Sequence, residues 1–340
     1  VEIRGGAGDD VIDYGGSGFA EHYGDGGDDY LDVGSDGSVL IRVIGGSGAD
    51  FIRHRGTAPA RLEGGSGQDR IIGGPGNDQI YGGADDDEID SGGGIDTIFG
   101  GAGQDLIRLT TTSLGSIIDG EGNYDFVAFT ARAAADEITV SAAGSNLLLE
   151  VAGLGSVTFS SIEDVTIDAA AGGDTVTIED VEPTAVSKFS IDMGKIATQS
   201  GTIEVDGETR PNYIFFDDGA ADTVILRGDD GVDRFVGRAI NPAEDTGRMQ
   251  NVSVIRSGVN DYVVSGSVRS EGDRIVIESL GGDDDLDFSG LGDSDPSDAT
   301  FYPDLVAVSL IGGAGNDELI GTPFDDVLDS GLGDDIVTGG

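Results

Sequence analysis

Between residues 64 and 108 an isoleucine recurs with a fixed period of nine: Ile71, Ile80, Ile89, Ile98 and Ile107. Each stands between two residues of mixed polarity, and glycine, aspartate and small polar residues fill the interval to the next. An amphipathic helix would show apolar residues about every 3.6 positions, so this pattern is not helical. It predicts short strands with one inward side chain each, joined by glycine turns. The complete unit runs without a gap as GGSGQDRII, GGPGNDQIY, GGADDDEID, SGGGIDTIF and GGAGQDLIR, placing Asp69, Asp78, Asp87, Asp96 and Asp105 two residues before the isoleucines. A second set, GGAGNDELI, GTPFDDVLD and SGLGDDIVT, carries Asp317, Asp326 and Asp335 in the same position. GGAGDDVID at 5–13 and GGSGADFIR at 45–53 fit as well, with Asp10 and Asp50.

One such unit makes half a coil and two make a rung. Stacked rungs pair their strands in parallel about 4.8 Å apart, and the crossover rule makes the coil right-handed. The expected fold is therefore all-β: a right-handed parallel β-roll, or β-solenoid, with a thin aliphatic core and a column of turns on each side. Aligned turns place one aspartate above another. At an effective dielectric of ~20, unit charges about 4.8 Å apart repel by roughly 3 kcal/mol, so a column of aspartates calls for cations between them. Carboxylate and carbonyl oxygens are hard ligands of the kind Ca²⁺ takes, about six to eight per ion.

The candidate metal ligands follow from the register. One column holds Asp10, Asp29, Asp50, Asp69, Asp87 and Asp105 and runs on to Asp125; the other side holds Asp78 and Asp96. Asp284, Asp317, Asp326 and Asp335 belong to the C-terminal set. Turn carbonyls such as those of Gly64, Gly67, Gly73, Gly76, Gly82, Gly101, Gly103, Gly313 and Gly315 would complete the ligand set. These units resemble the RTX, or hemolysin-type, calcium-binding repeat of secreted bacterial proteins. The resemblance implies several bound Ca²⁺ ions, turns as calcium sites, folding outside the cell, and export by type I secretion on a C-terminal signal.

Beyond the clear repeats the strand rhythm persists while the ligand chemistry fades. Runs starting at 116, 125, 136, 146, 156, 164 and 174 predict a calcium-poor continuation of the same solenoid, with Asp164 in the long column but without a glycine cradle. The expected division is a β-roll passing into calcium-poor solenoid over 1–181, a degenerate solenoid with loop insertions over 182–280, and calcium-binding repeats over 281–340. DTVILR, NVSVIR, DYVVSG and DRIVIES are the coil strands expected in the middle part. The final GDDIVTGG breaks off inside a new repeat, which reads as an excerpt of a longer protein.

A formal charge of −47 excludes nucleic-acid binding and disfavours anionic membranes. No apolar run reaches the ~20 residues that span a bilayer, and the absence of cysteine removes disulfides and thiolate sites. No HExxH or phosphate-loop motif is present, and His22 and His54 are expected at the surface. Ten of the 18 basic residues lie between 188 and 274. Internal charge balance is the simpler account of them; a β-helical lyase or epimerase acting on acidic polysaccharide is the enzymatic alternative, although no catalytic residue can be singled out. An adhesin or surface-layer segment, with a cell-surface glycan or further copies of a surface protein as partner, is the third reading.

Overall fold

The computed structural model describes residues 1–16, 18–36, 39–181, 184–192, 195–205, 208–217, 221–231, 233–240, 251–256, 260–265, 273–291, 307–323 and 325–339. Among them there is no α-helix and one short 3-10 turn, Thr111–Ser113; the rest of the regular structure is strand. The chain forms two compact units, one of Val1–Thr130, Ser141–Thr166 and Val181–Ser187, the other of Ala131–Val140, Ile167–Asp180 and Lys188–Gly340.

In the first unit successive strands alternate between two parallel sheets. Glu2–Ala7, Glu21–Gly26, Ile41–Ser47, Ala60–Ser66, Gln79–Ala84, Thr97–Ala102 and Ile117–Gly122 stack in that order in one. Val11–Tyr14, Tyr30–Val33, Phe51–His54, Arg70–Ile72, Glu88–Asp90, Leu106–Thr110 and Phe126–Thr130 stack in the other. The register sets like on like: Ile71 faces Ile89, which faces Ile107, and Leu62 faces Ile80, which faces Ile98. All are fully buried. This is the expected parallel β-roll, and its core is a double column of aliphatic side chains.

The second unit repeats the plan with longer intervals. Residues 137–140 pair in parallel with Thr175–Ile178, followed by Thr223–Arg227, Arg274–Glu278, Ala307–Ile311 and Val327–Asp329. Its other sheet runs from Arg234–Ile240 through Asp285–Gly290 and Glu318–Ile320 to Ile336–Thr338. Lys195–Val205 and Glu208–Asp217 form an antiparallel hairpin of their own.

Two stretches depart from the expected uniform coil. In the first unit Gly155–Ser160 lies parallel to Ile117–Gly122, but Asn146–Val151 runs antiparallel to it. Gly153 in the connecting turn has φ +73° and the chain doubles back instead of completing a coil. In the second unit Asn251–Arg256, expected as a coil strand, is antiparallel to both Arg234–Ile240 and Asn260–Ser265. Strand spacing near ten residues suits a hairpin as well as a half coil, so spacing alone does not separate them.

The histidines are not at the surface. His22 is fully buried, in register between Ile3 and Val43, with its ring 4.7 Å from that of Tyr14. His54 is buried at the end of its strand. Inward-facing strand positions override the polarity of the residue that occupies them.

On the outer face Glu88 bridges Arg70 and Arg108 of the coils on either side, while Ile89 points inward and is fully buried. Truncating Ile89 to alanine should cost about 2–5 kcal/mol through lost burial and the cavity left behind. Glu88→Ala removes exposed ion pairs and should cost about 0–1 kcal/mol. Denaturant unfolding of the two variants in saturating calcium measures both; equal losses would place the register one residue out.

Candidate metal centre

The turn that closes on Asp69 shows why the repeat demands its glycines. Gly65 and Gly67 have φ of +125° and +109°, the left-handed region. A Cβ on either would also come within 2.0 Å of Gly46 O or 2.2 Å of Gly48 O in the neighbouring coil. Gly64 has no such φ, yet a Cβ there would lie 2.3 Å from Asp69 Oδ2 and 2.5 Å from Gly82 O. The first glycine therefore keeps open the space into which the carboxylate folds back and a neighbouring carbonyl points. In the less regular copies Asp25, Asp85, Glu121 and Asn123 take the left-handed positions, with φ between 69° and 78°.

Each aspartate is tied to the coil before it. The backbone N–H of Asp10 donates to Asp29 Oδ1 at 2.7 Å, and the same bond repeats from Asp29 to Asp50, Asp50 to Asp69, Asp69 to Asp87, Asp87 to Asp105 and Asp105 to Asp125, all at 2.8–2.9 Å. The Asp125 N–H donates to Glu163 Oε2 at 2.8 Å and ends the ladder. On the other side the donors are Ala60 to Asp78 and Asp78 to Asp96, and the Asp96 N–H ends that ladder on Ser116 Oγ.

The second carboxylate oxygen is treated differently. Oδ2 of Asp10, Asp29, Asp50, Asp69, Asp87, Asp96, Asp105, Asp125, Asp284 and Asp317 is buried and accepts no hydrogen bond. Burial pushes the carboxyl groups of Asp69, Asp96 and Asp125 up to about 7 and that of Asp87 up to about 8. Asp29, Asp50, Asp105 and Asp284 move in the same direction for the same reason. A buried carboxylate oxygen without a partner takes up either a proton or a cation.

These oxygens fit calcium. Among the described residues no three His, Asp or Glu side chains converge on one point, so carbonyls must supply much of any ligand set. They are in place. The carbonyls of Gly64, Gly82, Gly73, Gly76, Gly313 and Gly315 each come within 1.4–2.7 Å of where a Cβ would stand on a glycine of an adjoining coil. Gly101 O stands further off, 3.5 Å from such a point on Gly122. Gly67 and Gly103 serve as left-handed fourth residues of their turns. A hard oxygen cradle of one carboxylate oxygen and several carbonyls is the chemistry Ca²⁺ uses.

The ladder reaches further than the glycine motif does. In the second unit the Asp136 N–H donates to Asp174, Asp174 to Asp222, and Asp222 to Asp273, at 2.6–3.0 Å. Asp233 donates to Asp284, Asp284 to Asp317 and Asp317 to Asp335, at 2.7–3.0 Å. Sequence reasoning missed Asp136, Asp174, Asp222, Asp233 and Asp273 as members of a stack. The signal was present, since each stands two residues before a buried Ile, Val or Phe, in DEI, DTV, DTV, DRF and DRI. Asp164, expected in the long column, is one residue out of place: Glu163 is the acceptor there, and Val165 is the inward residue. Two of the expected ligands are already answered by the chain: Oδ2 of Asp78 accepts the Gly74 N–H at 3.0 Å, and Oδ2 of Asp326 accepts the Thr322 N–H at 2.6 Å.

The burial shifts fix the sign of a pH effect. The folded-state values of about 7 to 8 lie above the ordinary 3.8, so the folded chain binds more protons across that interval. Stability from these groups is fully present below 3.8 and is lost as pH rises through 7 to 8. The residual β structure of calcium-stripped protein, read by circular dichroism, should therefore be smaller at pH 8 than at pH 5, and Asp87→Asn should flatten the dependence. Residual structure that rises with pH would contradict the buried, unpartnered carboxylates.

Residues 2–18, 63–98, 89–109 and 311–340 match the family model of the RTX calcium-binding nonapeptide repeat, in four copies. No curated protein matches the chain. The matched segments hold the turns and buried Oδ2 atoms of Asp10, Asp69, Asp87, Asp96, Asp105 and Asp317, and over those segments the chain is identified as carrying RTX calcium-binding nonapeptide repeats.

Proposed function

We propose that this chain is a structural module of a large secreted or cell-surface bacterial protein, and that calcium met outside the cell folds it. The observation that carries the reading is the run of buried carboxylate oxygens without hydrogen-bond partners, stacked coil upon coil in cradles of glycine carbonyls. Bound calcium would supply the positive charge these oxygens lack.

The chain's own residues set the switch. With a formal charge of −47 and carboxylates aligned in columns, the metal-free chain resists compaction. Extracellular calcium modules typically bind with Kd of about 10⁻⁴–10⁻³ M, so their sites fill outside a cell and stay empty in a cytosol. Binding to the folded state alone then shifts the folding equilibrium by mass action. The basic residues of the middle segment support a structural role. Arg227 bridges Glu179 and Glu278, and Arg234 pairs with Asp285. These arginines balance charge within the unit instead of presenting a free cationic face. Lys195, Arg210, Arg238, Arg248 and Arg269 lie outside the described side chains.

Circular dichroism tests the switch. In chelator the chain should show little β structure, and millimolar Ca²⁺ should restore it. Mg²⁺ should restore far less at equal concentration, because it demands near-octahedral geometry and gives up water reluctantly. A β spectrum unchanged by chelator would remove the folding switch, and equal recovery in both ions would count against the carbonyl cradle.

A further inference from the structure

The aspartates stand in two kinds of turn. Around Asp69, Asp87 and Asp105 the second and fourth turn residues are left-handed, and Oδ2 has no hydrogen-bond partner. Around Asp78, Asp136 and Asp233 neither of those residues is left-handed, nor is the second turn residue before Asp326. There the amide of the second residue swings onto its own aspartate. Gly74, Arg132 and Asp229 donate to Oδ2 of Asp78, Asp136 and Asp233 at 3.0 Å each, and Thr322 donates to Asp326 Oδ2 at 2.6 Å.

The other oxygen of each is answered as well. Asp78 Oδ1 accepts the Ala60 amide at 2.7 Å, and Asp326 Oδ1 accepts the Thr322 hydroxyl at 2.8 Å. Asp136 and Asp233 head their ladders, and an arginine replaces the amide that a preceding coil's aspartate gives elsewhere. Arg132 Nε donates to Asp136 Oδ1 at 3.0 Å and Arg256 Nε to Asp233 Oδ1 at 2.7 Å. The Arg256 side chain is only 4% exposed and also reaches Asp180 at 2.9 Å and Asp229 at 3.3 Å. It is carried there by the antiparallel strand Asn251–Arg256 that interrupts the coil. At Asp78 the His54 ring stands with Nδ1 3.8 Å from Oδ2. Arg53 pairs with Ile72, so His54 takes the register position of Gly73, where a coil would otherwise begin its cradle.

We propose that the carboxylates of Asp78, Asp136, Asp233 and Asp326 are not calcium ligands, and that His54, Arg132, Arg256 and Thr322 stand at these turns in place of the ion. The inference rests on the calcium reading of the other turns. A calcium ion at any of the four would have to compete with the N–H already donating to Oδ2, the oxygen that is left without a donor at Asp69, Asp87 and Asp105, and at Asp136 and Asp233 it would meet a guanidinium already there. The calcium sites are thus set by turn shape, and an aspartate in the right register is not sufficient.

Anomalous diffraction from calcium-loaded crystals of the whole chain decides the matter. Ions are expected at the usual bonding distance of about 2.3–2.6 Å from the carboxylates of Asp69, Asp87 and Asp105, and none that close to the four named here. An ion at that distance from any of the four overturns the proposal. Absence of ions at Asp69, Asp87 and Asp105 overturns the calcium reading itself. Native mass spectrometry gives an independent count in solution. Asp136→Asn should keep the wild-type number of ions while Asp87→Asn loses at least one; a loss in folded Asp136→Asn sinks the proposal, and the crystal result stands whether or not the variants fold.

Discussion

The whole architecture depends on one contact, a backbone amide of one coil donating to the aspartate of the next. It fixes the side chain so that Oδ1 faces the neighbouring coil and Oδ2 turns back over the first glycine of its own turn. A carboxylate so placed is removed from water with one of its two oxygens unbonded. That unbonded oxygen dictates the rest of the turn. The glycines at its head leave room for the oxygen, the neighbouring carbonyls crowd toward it, and the local charge is left for something outside the chain to answer.

The aliphatic column contributes the rest of the cohesion but little of the specificity. One to three inward apolar side chains per strand, such as Ile89 alone or Ile107 with Leu109, give a core one side chain deep on each sheet, far thinner than a globular domain of this length could build. Such a core tolerates His22 in line with Ile3 and Val43. It also tolerates an antiparallel strand such as Asn146–Val151 joining the sheet, since the inward alternation is the same in either direction. The aspartate ladder is less forgiving, because its geometry requires a parallel neighbour with a matching turn. Where the chain reverses, the ladder stops: the Asp125 amide finds Glu163 after the reversal, not an aspartate.

That contrast explains which features the sequence makes legible. Perfect repeats betray both the coil and its sites, because glycine, aspartate and isoleucine each answer a separate physical demand at a fixed interval. In the middle of the chain the GGxG turn is gone, and with it the visible period, while the shorter motif of an aspartate two residues before an apolar one survives in DTVTI and DRIVIE. Asp174 and Asp273 are therefore legible once that pair is weighed apart from the glycines. The same rule applied to AEH sends His22 inward from Ala20. Arg256 is not legible. Its place beside Asp233 depends on an antiparallel excursion that nothing in the local sequence distinguishes from a coil strand.

The ladders run one way, and their two ends are chemically different. At the start an aspartate needs a donor from outside the stack, which Arg132 and Arg256 supply for two stacks of the second unit; at the finish an amide needs an acceptor, which Glu163 and Ser116 supply for two stacks of the first. Inserting or removing a whole coil between those ends adds or deletes one donor together with one acceptor, so the valence of the stack is unchanged. The hydrogen bonds of the ladder accordingly set no limit on the number of coils, while the residues that open and close a stack are tied to their positions.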